Sequence, residues 1–567
     1  MAISPRLFSI SSSFNNRRIV CVGWGLYAAL AAFIFIWAGA IRFHLPLFPL
    51  VDKDIPGYLN PALSKLAGLG YIHDHGRHFV YPGLVYLLLR IFGDFRAITI
   101  FQHGIGLMTG GLLLLTWERA GRLLGKARVS PWFYRALGLI LTATFLTATK
   151  PILYEVQIRA ESEFAFVAIL SLLLNVEFIR LRFLERNDPD ALTWGISALF
   201  VAALLHCLRP TWGIGFIFAS LPAVISLFEG SETIRRKCIL AGVSITLVTA
   251  FLILPERSLA KEDRGDKTFG ARVVFATHAD FIRDQIGIDL AQGAAVPYDK
   301  EWLASVQASL TEDIEMTAPE AQKTLGFNSE FIMWEDSTFR KITHDMGNDP
   351  EKVSAFCWYY YKRVIVHQPW RMTKKVLFQM GQFYTVPNPV YQKSESEPIA
   401  LTEDYGRSAE LLAGYTKHDN AWPGVRVLAS GTELARTARA AIPSNRWLSA
   451  LHRPLAFAYL PGLVIDVLLS AWIFLVPRWR RQLGAFALFS LLVYSYNFGN
   501  CLTIAIVHIL VVRRYLFAQL VFTLMAQFLT LALIWKVSAE VAKECICRLR
   551  LRATRSHLAG MESPASS

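Results

Sequence analysis

RRIVCVGWGLYAALAAFIFIWAGAI, residues 17–41, decides the class of this chain. Two arginines precede an unbroken apolar run, and a helix needs about 20 such residues to cross a bilayer's hydrocarbon core. The apolar region of a cleaved signal peptide is shorter, and here more runs follow, so the stretch reads as a first span. Similar runs lie at 97–117, 132–149, 160–181, 191–207, 211–228, 238–254, 455–476, 483–496 with some extension, and 515–535. The expectation is an α-helical polytopic membrane protein of about ten spans.

Composition agrees. Of 567 residues, 53% are hydrophobic, and mean hydropathy is +0.36. The net charge of +14 is unevenly placed. Residues 255–452 hold 23 Lys+Arg against 26 Asp+Glu, which leaves the excess to short loops and the tails. That distribution follows membrane topology and argues against a nucleic-acid partner. The basic runs at 17–18, 118–128, 180–186, 235–237, 478–481 and 536–555 all fall on one side if there are ten spans. The positive-inside rule makes that side the cytoplasm, with both termini there. Segments 42–96, 150–159, 208–210, 255–452 and about 497–514 then face outward. Four regions follow: a transmembrane module at 1–254 with its first outer loop at 42–96, an extracytoplasmic domain at 255–452, a second transmembrane module at 453–536, and a basic tail at 537–567. Polar helical stretches at 300–310 and 351–368 make the outer domain mainly α. Stretch 502–512 is too short to cross and reads as an extension of the ninth span or a re-entrant piece. Gly106 and Gly110 are spaced for close packing. Of seven cysteines only Cys357 lies well inside the outer domain, which leaves it without a disulfide framework. The missing Asn-x-Ser/Thr acceptor and retention signal point to a bacterial inner membrane.

No P-loop, GxGxxG, HExxH or GxSxG motif is present. Polar residues instead gather at the expected outer face, in five clusters. Asp52 and Asp54 follow the first span; a partly desolvated Asp there is expected to have a raised pKa and to serve as a general base. Arg77, His78 and Tyr81 lead into a short apolar piece, 83–92, expected along the interface. His73, Asp74, His75 and His78 include metal-ligand types, but their spacing fits no standard zinc site. Glu155, Arg159, Glu161 and Glu163 open the fourth span, either as functional intramembrane groups or as anions in water at a helix N-terminus. Arg209 precedes Pro210, and His508 precedes Arg513, Arg514 and Tyr515. Outward arginines need an anionic partner: a lipid phosphate, which guanidinium matches bidentately, or a carboxylate of the outer domain.

In order and topological side these clusters resemble the GT-C membrane glycosyltransferases, which include the protein O-mannosyltransferases and the aminoarabinose–lipid A transferases. The matching residues are Asp54 with Tyr58, Tyr81-Pro82, Glu161, Arg209-Pro210 and Arg514-Tyr515, over roughly 19–254 and 455–535. Many relatives carry two adjacent acids in the first loop; here Ile55 follows Asp54, and Asp52 is the alternative base. The stretch from Trp358–Tyr361 through His367-Gln368-Pro369-Trp370 to Phe383-Tyr384 is similar to the helix that returns such enzymes to the membrane, its aromatics either meeting ligand or simply packing.

The resemblance implies a GT-C-like bundle and inverting transfer of a sugar from a polyprenyl-phosphate donor to a hydroxyl of a lipid or glycan acceptor. Asp54 or Asp52 is then the base, and Glu161 orients the acceptor or helps hold a divalent cation such as Mg or Mn, though the sequence requires no cofactor. Tyr58, Arg77, His78, Tyr81, Arg159, Arg209, His508, Arg513, Arg514 and Tyr515 contact substrates or membrane lipid. A transporter of lipid-linked sugars would instead need ionisable residues near the bilayer midplane, of which the apolar runs show few. A non-catalytic scaffold would tolerate substitution of all five clusters.

Overall fold

The computed structural model describes residues 7–52, 54–72, 77–125, 131–228, 233–261, 268–391, 397–416, 422–437, 440–510 and 512–561. The chain begins with α1 (Leu7–Phe43), the short helices α2 (Pro56–Leu66) and α3 (Val80–Phe92), and α4 (Arg96–Gly121). Next come α5 (Pro131–Thr147), α6 (Thr149–Glu155), α7 (Glu161–Ile179), α8 (Asp188–Leu208), α9 (Gly213–Phe228) and α10 (Ile234–Val248), the last running through a π-helical turn into α11 (Leu254–Lys261). Among the described residues nine helices are long and apolar enough to cross a membrane, or ten if the bent pair α5–α6 is one span. Every apolar run expected to cross has its helix. The protein is thus an α-helical polytopic membrane protein.

The bundle packs in a way its composition requires. Helix α7 lies against α4, α8 and α9, while α22 (Pro477–Val507) lies against α9, α21 (Arg446–Leu475) and α24 (Leu520–Met561). Outer faces stay apolar where no helix covers them: Ile36, Ile245, Leu468 and Leu475 are each more than 60% exposed. Such surface is stable only against lipid. Helix α22 continues to Val507, so the first part of 502–512 does extend the ninth span. Arg513 and Arg514 do not open the last span; they sit on a separate short helix, α23 (Arg513–Phe517). Helix α3 is too short to cross. It buries Tyr81, Val85, Leu88 and Leu89 and exposes Leu87, Ile91 and Phe92.

The large polar segment is mainly α, as expected, but it forms two packing units. The first comprises α12 (Phe269–Thr277), α13 (Ala279–Ala291), α14 (Lys300–Met316), α15 (Ser329–Trp334), α16 (Thr338–Asp345), α17 (Pro350–His367) and α18 (Pro369–Gly381). Its core gathers Phe275, Ile282, Leu303, Leu310, Phe356 and Tyr360. Side chains of Asp299, Asn328 and Asp349 cap α14, α15 and α17 by accepting backbone N–H bonds. The aromatics of α17 that were weighed as ligand contacts mostly pack here. This unit stands on the end of α22, where Tyr361 Oη donates to the Ile506 carbonyl at 3.2 Å and the Leu510 N–H donates to Gln379 Oε1 at 2.8 Å. Beyond α18, Phe383 and Tyr384 pack on Tyr459 of α21.

The second unit is the hairpin α19 (Thr402–Tyr415) and α20 (Gly424–Thr437), closed by a short antiparallel pair, β1 (Ile399–Ala400) and β2 (Ala441–Ile442). Its core residues Leu401, Tyr405 and Ile442 join Leu45 and Leu50 of the first loop and Ile152 of α6. Sequence periodicity gave no sign that this segment packs on the first loop.

Buried charge also shapes the bundle. Arg42 donates to both Glu155 oxygens, at 2.7 and 2.8 Å, and His103 Nδ1 lies 2.9 Å from the same carboxylate. Asp466 sits near the centre of run 455–476, fully buried and bonded by Ser490 and Thr530 hydroxyls at 2.8 and 3.2 Å. Contacts between helices hold Arg42, Glu155 and one oxygen of Asp466 where hydrocarbon offers no partner.

Gly106 is explained by this arrangement. A Cβ there would lie 2.0 Å from Glu155 Oε1, and one at Gly110 would lie 2.6 Å from Leu146. These glycines admit a neighbour's side chain. Gly106→Ala is expected to push Glu155 off Arg42 and destabilise the protein by about 3–5 kcal/mol, the scale for breaking a buried ion pair. Thermal unfolding in detergent, beside a Gly104→Ala control whose Cβ meets nothing within 4 Å, checks this.

Candidate functional site

Two short backbone contacts place the first acidic loop. The Leu50 N–H donates to the Val156 carbonyl at 2.6 Å and the Ile158 N–H donates to the Leu50 carbonyl at 3.2 Å, a parallel bridge between the first loop and the link from α6 to α7. On the other side, Ser408 Oγ of α19 bonds both the N–H and the carbonyl of Val51 at 2.9 Å, and Tyr405 Oη donates to the Pro46 and Phe48 carbonyls. The chain entering Asp52 is thus clamped from both sides.

The bridge sets Arg159 against the acids. Its Nε donates to Asp52 Oδ2 at 3.0 Å, its Nη2 also bonds that oxygen, and Nη2 lies 3.1 Å from Asp54 Oδ2. Asp52 Oδ1 accepts the Asp54 N–H at 3.0 Å. Asp52 is therefore occupied in shaping the loop. Asp54 is paired as well with Arg514 Nη1, reaching over from α23. Its side chain remains 39% exposed and lines a cavity.

The expected rise in the Asp54 pKa is overturned. Burial does push its carboxyl up, but Arg514, Arg159 and Arg77 outweigh that and hold it below the ordinary carboxylate range. Asp54 is ionised at neutral pH.

The cavity measures about 1060 Å³ and lies between the bundle end and the first packing unit of the polar segment, the outer unit of the expected topology. The bundle side contributes Asp54, Arg77, Lys150, Arg159, His508 and Arg514. His508 Nδ1 accepts the Ile509 N–H at 2.8 Å, which leaves its proton on Nε2. Burial pushes the imidazole down to about 3, with Arg514 and Lys375 adding to the effect, so it is neutral. Arg77 stacks over Tyr58, 4.5 Å from the ring centroid.

Other expected site residues stand behind this surface. Tyr58 and Tyr81 are buried edge to face, 5.2 Å between centroids, and Gln102 Nε2 links the Tyr81 hydroxyl to the Arg159 carbonyl at 3.0 Å each. They support the loop and do not line the cavity. Arg209 is buried as well, 4.0 Å from Glu161 and packed over Phe164 and Tyr515. Its partner is a carboxylate of α7, not one of the outer domain. Glu161 and Glu163 are 7% and 6% exposed, which removes the reading of them as anions in water. Tyr515 is buried against His508 and accepts from Arg514 Nη2 at 3.3 Å. His78 Nε2 lies 3.8 Å from Glu256 Oε2, away from the acidic pair.

His73, Asp74 and His75, and the Arg513 side chain, lie outside the described residues. Among the described residues no three His, Cys, Asp or Glu side chains converge as a metal site. Glu161 faces Arg209, a poor setting for a divalent cation, so no step is assigned to one.

One buried cation beside His508 was invisible in the sequence. Lys375 on α18 is 7% exposed; its Nζ lies 2.7 Å from His278 Nε2 and 3.3 Å from the His508 carbonyl. Burial pushes its pKa down to about 7. In PWRMTKKVLFQMG it looks like any surface lysine.

The fold and cavity define a polytopic helical membrane protein with a charged chamber at one end of its bundle. No family model, curated protein or solved structure matches the chain.

The clamp is testable. A Cβ on Gly431 of α20 would lie 2.2 Å from the Phe48 ring. Gly431→Val is expected to displace 46–54 and speed amide hydrogen exchange there, with exchange in α7 and α22 unchanged.

Proposed function

We propose that this protein is a glycosyltransferase of GT-C type, moving a sugar from a polyprenyl-phosphate donor to an acceptor hydroxyl at the outer face of a bacterial cytoplasmic membrane, with both termini inside. The observation that carries this reading is an ionised carboxylate, Asp54, held between Arg159 and Arg514 on the wall of a cavity large enough for a ligand headgroup.

In the proposed reaction the acceptor oxygen attacks the anomeric carbon. Its proton passes to Asp54, the bond from the sugar to the phosphate oxygen breaks, and the electron pair leaves on the lipid phosphate. One displacement inverts the anomeric centre. Arg514, Arg77 and Lys150 would stabilise the developing phosphate charge, two as guanidinium groups that match phosphate bidentately and one as an ammonium point charge. Arg514 links the two halves of the chemistry. A donor phosphate that draws Arg514 away from Asp54 removes the charge that depresses the carboxyl, so the base strengthens as the donor binds. Asp52 fits better as a positioning residue, since both of its oxygens are engaged by the loop and Arg159.

Three outcomes are expected in a transfer assay on purified protein. Asp54→Asn keeps expression and loses transfer by about 10²–10⁴-fold, the range for a general base; full activity in that variant sinks the mechanism. The acid limb of kcat/KM, which reports free protein, lies below that of kcat, which reports the donor complex. Arg514→Gln raises the kcat/KM limb, because Asp54 loses its largest opposing charge.

Asp466 is the observation that favours the rival, a transporter of lipid-linked sugar, since a buried carboxyl within a span is a feature of proton-coupled carriers. Asp466→Asn retains its hydrogen-bonding shape. Transfer at wild-type rate in this variant is the transferase outcome; loss of lipid-linked sugar flux in proteoliposomes, with no transfer detected in wild type, is the carrier outcome.

A further inference from the structure

The cavity has a second wall of different chemistry. Opposite the cations of the bundle, the outer unit contributes Glu320, Asn328, Glu330, Trp334 and Glu335. Trp334 ends α15, a helix whose Ile332 and Met333 are buried in the unit's core. The indole is fixed in place: Arg272 stacks 5.0 Å from its centroid and Phe269 lies at 6.2 Å. Even so, 46% of the residue is exposed, and it faces the chamber from a water-facing domain. A held, half-exposed indole flanked by carboxylates and an amide matches the needs of a sugar ring. The apolar C–H face of a pyranose packs on an aromatic plane, while its hydroxyls donate to carboxylate oxygens and accept from the Asn328 amide nitrogen, whose oxygen is taken up in capping α15.

Charge narrows the ligand further. Three carboxylates on this wall repel phosphorylated or uronic acceptors, whereas the opposite wall attracts phosphate. The two walls therefore sort two substrates by charge.

We infer that the Trp334 wall is the acceptor subsite and that it takes a neutral oligosaccharide. The assignment rests on the transferase reading for what lies opposite it. Saccharide binding at Trp334 is nonetheless measurable apart from any donor. The cavity volume accommodates a few rings beside a donor headgroup, being at the upper end of the ~300–1,000 Å³ common for ligand pockets.

The test uses the full chain in nanodiscs over immobilised probes: maltotetraose, mannotetraose, cellotetraose and chitotetraose as neutral ligands, tetragalacturonate as the anionic one. Wild type is expected to bind at least one neutral probe and to reject the uronate. Trp334→Ala should weaken that binding tenfold or more, and Trp334→Phe should retain most of it. The pair Glu330→Lys/Glu335→Lys should gain uronate binding. No neutral probe bound by wild type, or equal binding by Trp334→Ala, overturns the inference. Native mass spectrometry of the same samples separates the two readings. Polyprenyl phosphate retained by wild type and Trp334→Ala, and lost in Arg514→Ala, keeps the donor site whatever the saccharide result. Neutral saccharide bound at Trp334 with no polyprenyl phosphate retained removes the transferase reading and leaves a saccharide-binding wall.

Discussion

The guanidinium of Arg159 holds the architecture of the site together. It precedes α7 in the chain and reaches two carboxylates of a loop more than a hundred residues upstream. A cation in this position must be paired, because an unpaired charge withdrawn from water costs several kcal/mol. The bridge between Leu50 and Gln157 supplies the geometry, and Ser408 supplies the opposing support. Once Asp52 and Asp54 are fixed, Arg514 on α23 has one place to put its charge. The first loop, the α6–α7 link and α23 are joined through these four side chains. On the transferase reading, the same network brings a base and a phosphate-binding cation within reach of one substrate.

Much of this was legible from the residue order. The spans were visible because each apolar run is long, and lipid tolerates no unpaired backbone. Asp54, Arg77, Arg159, His508 and Arg514 were visible because charged residues beside apolar runs on the expected outer face demand explanation, and all five line one cavity. Tyr58, Tyr81, Arg209 and Tyr515 stand one layer back from the cavity wall. Sequence marks a polar residue near a membrane surface; it does not mark which side of a packed layer that residue occupies.

Other features left no trace in the sequence, for identifiable reasons. The grip of Ser408 and Tyr405 on the first loop joins residues about 350 positions apart, beyond any local periodicity. Lys375 is a charged residue on the buried face of an amphipathic helix, and the packing of α18 against His278 and the end of α22 encloses it. Desolvation alone raises the Asp54 pKa, and the three arginines that the fold brings near it reverse the sign. Proximity to a membrane says how much water a group loses, while the sign of its shift depends on which charges the fold brings near.

The buried charges of this bundle fall into two kinds. Arg42 with Glu155 and His103, and Asp466 with Ser490 and Thr530, are buried between helices and do not line the chamber. They tie helices together where lipid offers nothing to bond. The Asp54–Arg514 pair differs: it is partly exposed, and one partner stands on a five-residue helix between two long ones. Such a pair can exchange partners with an arriving ligand at little cost, since water and ligand replace what the pair gives up. On the transferase reading, buried pairs between helices would keep the frame rigid, and the half-exposed pair would be the one to respond to a ligand. On the same reading, a carboxylate ionised before the ligand arrives would gain basicity only when a competing anion has bound, which would tie proton acceptance to occupancy of the cationic wall.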